Sequence, residues 1–207
     1  MCVNSASEDF SRLLSLIRPC AMCRIPEPSY PIVSGKFGAK VMSVGQSPGL
    51  IECREGRPFA GTAGKTLFSW LAEAGIPEES FRANACMTSV TKCYPGPDKH
   101  GRRKTPRDIE LHNCAKYLVS ELRIIEPAVI LAIGKLAIER LLGPMKLTEA
   151  VGRAFPRRYH SFETLVIPLP HPSGRSTWVY TGENKRLLER AIKLIARHAR
   201  PLVIQIP

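Results

Sequence analysis

Val41-Met42-Ser43-Val44-Gly45-Gln46-Ser47-Pro48-Gly49 is an apolar run that breaks into a Gly- and Pro-rich loop, which continues through Gly56-Arg57-Pro58-Phe59-Ala60-Gly61-Thr62-Ala63-Gly64. A helical pattern follows, so the order is that of a strand delivering a binding loop to the start of a helix. Another apolar run stops at a histidine in Leu169-Pro170-His171-Pro172-Ser173-Gly174-Arg175. The rest of the chain reads as the means of bringing these two loops together.

Working outward, the first strand is expected over residues 40–44 and the next helix over 66–74, closed by Gly75, a favoured residue just past a helix end. Residues 83–92 read as a second strand, 128–133 as a third and 164–169 as a fourth. Helices are expected over 6–17, 107–125, 135–142 and 183–199, and the apolar tail 201–207 is expected to dock. Four short apolar strands separated by helices imply an α/β fold, a three-layer α/β/α arrangement around a central four-stranded parallel sheet. Ligands of such folds sit beyond the carboxyl ends of the strands. Both quoted loops leave strands at that end.

At 207 residues the chain suits one domain, here with a cysteine-bearing N-terminal segment. Hydrophobic residues make up 44% and charged residues 23%, the usage of a packed core. No apolar run approaches the length of a membrane span, and no basic start followed by an apolar stretch marks a signal peptide. The expectation is a cytoplasmic monomer with no membrane partner. Thirty Lys and Arg against 18 Asp and Glu give a formal charge of +12, which favours a polyanionic partner, DNA before a lipid surface. Seven cysteines at positions 2, 20, 23, 53, 86, 93 and 114 are an odd set without export signals, so metal ligation or burial accounts for them better than disulfides.

Taken together, the loop from Gly45 to Gly49, Glu52, the run from Gly56 to Leu67 and His171-Pro172-Ser173 resemble the uracil-DNA glycosylase superfamily over roughly residues 15–195. The first stretch looks most like its iron–sulfur branch, the family 4 enzymes. The resemblance implies that Cys20, Cys23, Cys93 and Cys114 ligate a [4Fe–4S] cluster; by spacing alone, four thiolates hold such a cluster or a zinc ion. Cys2, Cys53 and Cys86 are then buried or incidental thiols.

An enzyme that acts on a base must extrude it, stack its ring and read its edge. The resemblance gives Phe59 the stacking role, and assigns Gln46, Ser47, Gly49 and Ser89 to the base-binding wall. Glu52 would stabilise positive charge on the sugar and orient a water, and His171 would donate to the developing base oxyanion as a neutral imidazole. Arg102, Arg103 and Lys104, in a basic loop from Lys99 to Arg107, are expected to grip phosphates. The His171 loop with Ser173, Arg175 and Lys185 resembles that of single-strand-selective monofunctional uracil glycosylases, and Arg175 can fill the space of an extruded nucleotide.

The departures are informative. Gln46 stands where the iron–sulfur branch usually has Glu, and Ser47 follows it where family 1 has Asp. Ser89 stands where family 4 tends to have Asn, and a hydroxyl cannot reproduce an amide's paired donor and acceptor. Relatives that attach covalently to DNA have a histidine where this chain has Arg103, so no covalent trapping is expected. No lysine is placed as a Schiff-base nucleophile, so no strand-cleaving step is expected either. The expected activity is that of a monofunctional DNA glycosylase releasing uracil or a modified pyrimidine. The alternatives are excision of a bulky hydroxymethylated or glucosylated cytosine from phage DNA, in antiviral defence, and a DNA-binding module without catalysis.

Overall fold

A computed structural model of the chain describes residues 2–26, 28–101, 103–159, 161–173, 178 and 181–204, and the side chains of all of these except 2–5. The elements in order are α1 (Cys2–Ile17), β1 (Val41–Gly45), α2 (Leu50–Glu55), α3 (Thr62–Glu73), α4 (Glu78–Asn84), β2 (Ala85–Ser89), α5 (Asp108–Ile125), β3 (Val129–Ile133), α6 (Lys135–Leu142), α7 (Leu147–Ala150), β4 (Phe155–Tyr159), β5 (Phe162–Leu169), α8 (Gly182–His198) and α9 (Arg200–Val203).

The sheet has the order β2-β1-β3-β5-β4, with every pair parallel except β4 against β5. It therefore has five strands where the sequence suggested four. The missed strand reads Phe155-Pro156-Arg157-Arg158-Tyr159, basic and carrying a proline, which is tolerated because β4 is an edge strand with one side unpaired. Its alternate residues are exposed, whereas β1, β2 and β3 are buried at every residue.

Alternation along the strands divides the core in two. Val41, Met87, Val129, Leu131 and Ile167 face the cluster formed with α3, α4, α8 and α9, whereas Met42, Val44, Cys86, Ile130 and Val166 face that formed with α1, α5 and α6. The tail docks as far as it is described, to Ile204: Val203 of α9 is fully buried, and Asn84 Nδ2 donates to its carbonyl at 3.0 Å, while residues 205–207 lie outside the described residues. A small third cluster of Leu13, Ile17, Cys114 and Tyr117 fastens α1 to α5 beside the paired cysteines. Because β1 lies between β2 and β3, the chain winds in opposite directions from it, and a crevice opens at the carboxyl ends of the neighbouring strands. Among the described residues no helix is long and apolar enough to cross a membrane.

Candidate active site

The crevice is a cavity lined by residues from the ends of β1, β2, β3 and β5: Gly45, Gln46 and Ser47 after the first, Thr88 and Ser89 at the second, Ile133 at the third, and His171 after the last. Pro48, Glu52, Phe59 and Arg103 complete most of the wall. Both loops with which the sequence reading began therefore share one cavity.

Phe59 is held in a left-handed backbone conformation, φ 52°, a cost that other contacts must offset. Arg82 supplies them, donating to Pro58 O at 3.0 Å and Phe59 O at 3.1 Å while its guanidinium lies 4.4 Å from the Phe68 ring centre. Gly64 lets the loop close: a Cβ there would lie 1.9 Å from Phe59 O. At Gly45 a Cβ would lie 3.2 Å from the Phe59 ring, so the ring lies close over the end of β1. Arg82 sits more than twenty residues from the loop it holds, and nothing in the local sequence marks it. Gly64 was quoted in the motif, but its reason is visible only as a backbone contact.

Glu52 lines the cavity, yet both its oxygens already accept from backbone: Oε2 from Gly49 N at 2.9 Å and Oε1 from Gly61 N at 3.3 Å. It thus caps α2 and ties the start of α3 to it. The amide of Gly49, a residue assigned to the base-binding wall, is engaged by this bond. A Cβ at Gly49 would lie 2.5 Å from Glu52 Oε2.

Ser89 donates its hydroxyl to Thr91 O at 2.7 Å, which leaves its oxygen to accept. Ser47 Oγ is buried without a hydrogen-bond partner among the described groups, and the side-chain amide of Gln46 has none either. A buried polar group without a partner, such as Ser47 Oγ, is uncommon, and here it lines the cavity beside the half-buried Gln46.

His171 Nδ1 lies 3.2 Å from Ser173 N, and Nε2 lies 3.0 Å from an Arg103 guanidinium nitrogen. Burial, reinforced by the Arg103 charge, pushes the imidazole down to about 4, so at neutral pH it is uncharged. Arg103 itself donates to Ser47 O at 2.9 Å and stands inside the cavity, not with the exposed cations of its loop. Lys104 is exposed and lines an outer groove that also contains Glu52, Thr62, His171 and Ser173. Lys185 is exposed on the first turn of α8 and lines neither space. Arg102 and Arg175 lie outside the described residues.

Cys20, Cys23, Cys93 and Cys114 line a second cavity, together with Tyr30, Lys92, Asn113 and Tyr117. None of the four forms a disulfide. The Cys93 thiol is pushed up to about 12, first by burial and then by the charges of Cys114, Cys20 and Cys23. Thiols this close cannot all ionise unless a cationic centre lies between them, so their chemistry suits a metal group. Four thiolates can hold a zinc ion or a [4Fe–4S] cluster, and among the described residues no three metal-binding side chains are already grouped around one point. The cysteine segment is tied to the base cavity: Ile32 N donates to Lys92 O at 2.8 Å, Ser29 Oγ to Tyr94 O at 2.8 Å, and Tyr30 bonds to Cys53 O. Cys53 and Cys86 are buried thiols with raised proton affinity, Cys86 at about 12, as expected of inert core residues.

Behind Ser89, Lys92 Nζ is buried and bonds Glu121 Oε2 at 2.6 Å, Thr88 Oγ1 at 2.6 Å and Ser89 O at 2.8 Å. This pair joins the wall of one cavity to that of the other, since Thr88 lines the first and Lys92 the second.

Residues 32–196 match the sequence model of the uracil DNA glycosylase superfamily. The chain is 30% identical over 176 residues to a type-4 uracil-DNA glycosylase of Sulfurisphaera tokodaii, covering 83% of this chain and 72% of that protein. It is 30% identical over 172 residues to a type-4 uracil-DNA glycosylase of Pyrobaculum aerophilum, covering 80% and 83%, and 30% identical over 159 residues to one of Thermotoga maritima, covering 76% and 78%.

Proposed function

The chain belongs to the uracil-DNA glycosylase superfamily and is a DNA glycosylase, and we propose that it draws a pyrimidine out of DNA and hydrolyses its N-glycosidic bond, leaving an abasic site. The observation that carries this reading is the convergence of Gln46, Phe59, Ser89 and His171, from four separate segments, on one cavity at the carboxyl ends of the strands. Uracil is the first substrate to expect, as the names of the relatives suggest.

In this reading the base stacks on Phe59, whose backbone is held by Arg82 and approached closely by Gly64. Ser89 offers an acceptor, which suits an N–H on the base edge, and the free amide of Gln46 and the hydroxyl of Ser47 supply further partners. The neutral His171 donates from Nε2 to the base oxygen that gains negative charge, with Nδ1 held by the Ser173 amide. Each oxygen of Glu52 keeps a second lone pair beyond its backbone bond, enough to hold the attacking water and face positive charge on the sugar. Lys104, with Arg102, Ser173, Arg175 and Lys185, binds phosphates.

Cys20, Cys23, Cys93 and Cys114 hold a [4Fe–4S] cluster, a reading supported by their shared cavity and mutual charge. The cluster supplies a structural cross-link between the N-terminal segment, the loop after β2 and α5. Brown protein absorbing near 400 nm is expected; colourless protein with one bound zinc would reverse the assignment.

The activity is tested with oligonucleotides carrying uracil, hydroxymethyluracil or glucosylated hydroxymethylcytosine, followed by alkaline cleavage of abasic sites. Uracil release supports the reading. Product from the bulky cytosine alone would replace the substrate, and tight binding with no product from any base would leave a binding module.

A further inference from the structure

Arg103 differs from the other cations of its loop. Lys99, Lys104 and Arg107 are exposed, whereas the Arg103 guanidinium reaches into the base cavity between Ser47 and His171. A buried cation normally has a carboxylate beside it. Among the described residues Arg103 makes no ion pair; Glu52 acts on it only as a more distant charge, and burial outweighs it in lowering the proton affinity of Arg103.

Its contact with His171 contains a contradiction in hydrogen bonding. A neutral imidazole has one acceptor nitrogen, but here two donors meet its two nitrogens, Ser173 N at Nδ1 and Arg103 at Nε2. The Ser173 amide belongs to the same short loop, so it meets Nδ1 whatever the basic loop does. With Nδ1 as acceptor, Nε2 carries the proton, and Nε2–H and a guanidinium N–H then face each other across 3.0 Å with no acceptor between them. Two convergent donors in a buried corner are the arrangement that stabilises an oxyanion.

We infer that Arg103 is a catalytic residue whose guanidinium, together with His171 Nε2–H, binds the oxygen of the departing base as it becomes negative. The inference rests on the base-release reading above. As the C1′–N1 bond breaks, its electron pair passes to the base and spreads onto the carbonyl oxygen next to N1. Water gives hydroxide to C1′, and its remaining proton ends on the base. Entry of the base carbonyl separates the two donors by rotation of the arginine side chain, while the bond to Ser47 O keeps the guanidinium at the rim of the corner.

The test compares Arg103→Gln and Arg103→Lys with wild type in single-turnover release of uracil and of 5-fluorouracil, a better leaving group because its anion is more stable. Arg103→Gln is expected to lose about 100-fold on uracil and about tenfold on 5-fluorouracil, with Arg103→Lys between it and wild type. Equal losses on both bases, or release by Arg103→Gln as fast as wild type, would overturn the assignment. Melting temperature and the absorbance of the cysteine site check that the variants fold.

A second readout needs no turnover: fluorine NMR of free 5-fluorouracil as pH rises through its own ionisation. Wild type should bind the anion more tightly than the neutral base, and Arg103→Gln should lose that preference; Glu52, Tyr94 and His171 are common to both proteins. If wild type releases no base yet shows the preference, the glycosylase reading fails and the anion site stands. If it releases base and Arg103→Gln keeps the preference, Arg103 loses its role.

Discussion

His171 carries the sharpest chemical statement at the scale of single residues, because its environment fixes its charge. Its folded value of about 4 lies below the ordinary 6.5, so between these values the unfolded chain takes up the proton and the folded chain does not. The contribution to stability is therefore complete above about pH 6.5 and is lost as pH falls towards 4. From pH 7 to pH 5 the loss is about 2 kcal/mol, and it should be missing in His171→Gln when the two proteins are compared by urea unfolding. In activity the same shift predicts no decline from loss of the neutral imidazole between pH 8 and pH 5. A fall with an apparent value near 6.5 that vanishes in His171→Gln would show that the ring is not buried as described. Arg82 offers a second residue-level check. Arg82→Met removes both bonds to the Phe59 loop, each a charge-assisted bond of about 2 kcal/mol, and should lower base release at least tenfold. Unchanged release would mean that Gly64 and the packing of the loop suffice to hold Phe59.

Elements explain which parts of this fold the sequence exposed. β1, β2 and β3 are buried on both faces, so their apolar runs stand out, and α6 was read at the same residues at which it forms. β4 escaped because an edge strand is held by pairing to β5 and not by its own apolar content. α2 and α4 escaped for another reason. Each is short, and Glu52 and the proline before Glu78 start them inside stretches whose glycines and prolines read as loop. The site was legible as a set of motifs, since Gln46, Phe59, Ser89 and His171 do meet. Its internal wiring was not: the capping bonds of Glu52, the Arg82 clamp and the inward turn of Arg103 depend on contacts between distant segments. The Lys92–Glu121 pair, which ties β2 to α5, belongs to this hidden part. Glu121→Leu leaves a buried, unpaired ammonium and should cost about 3–5 kcal/mol, whereas Lys92→Met with Glu121→Leu should recover most of it. Equal loss in the single and double variants, by denaturant unfolding, would show that the pair's charge is not what matters.

For the whole molecule, the relevant quantities are net charge and the placement of the two cavities. A charge of +12 draws the chain to DNA non-specifically, and the outer groove with Lys104 provides one place where phosphates can lie beside the base cavity. Lys104→Ala should weaken DNA binding and reduce the slope of log affinity against log salt by about 1, without changing which base is released. An unaltered slope would remove Lys104 from the interface. Ser29 and Tyr30 line the cysteine cavity and Ile32 the base cavity, so loss of the proposed cluster should loosen the base pocket indirectly, through the bonds to Tyr94 and Lys92. Above all, the fold brings two loops together in one cavity, which under the proposed function takes a base out of DNA. The most direct measurement is mass spectrometry of the base freed from a uracil-containing oligonucleotide in a single turnover, for wild type, Phe59→Ala and His171→Ala. Free uracil with an abasic product from wild type, and release slowed about 100-fold or more by His171→Ala and also slowed by Phe59→Ala, is the predicted result. Wild type that binds the DNA and frees no base, or variants that free it at the wild-type rate, would contradict the account.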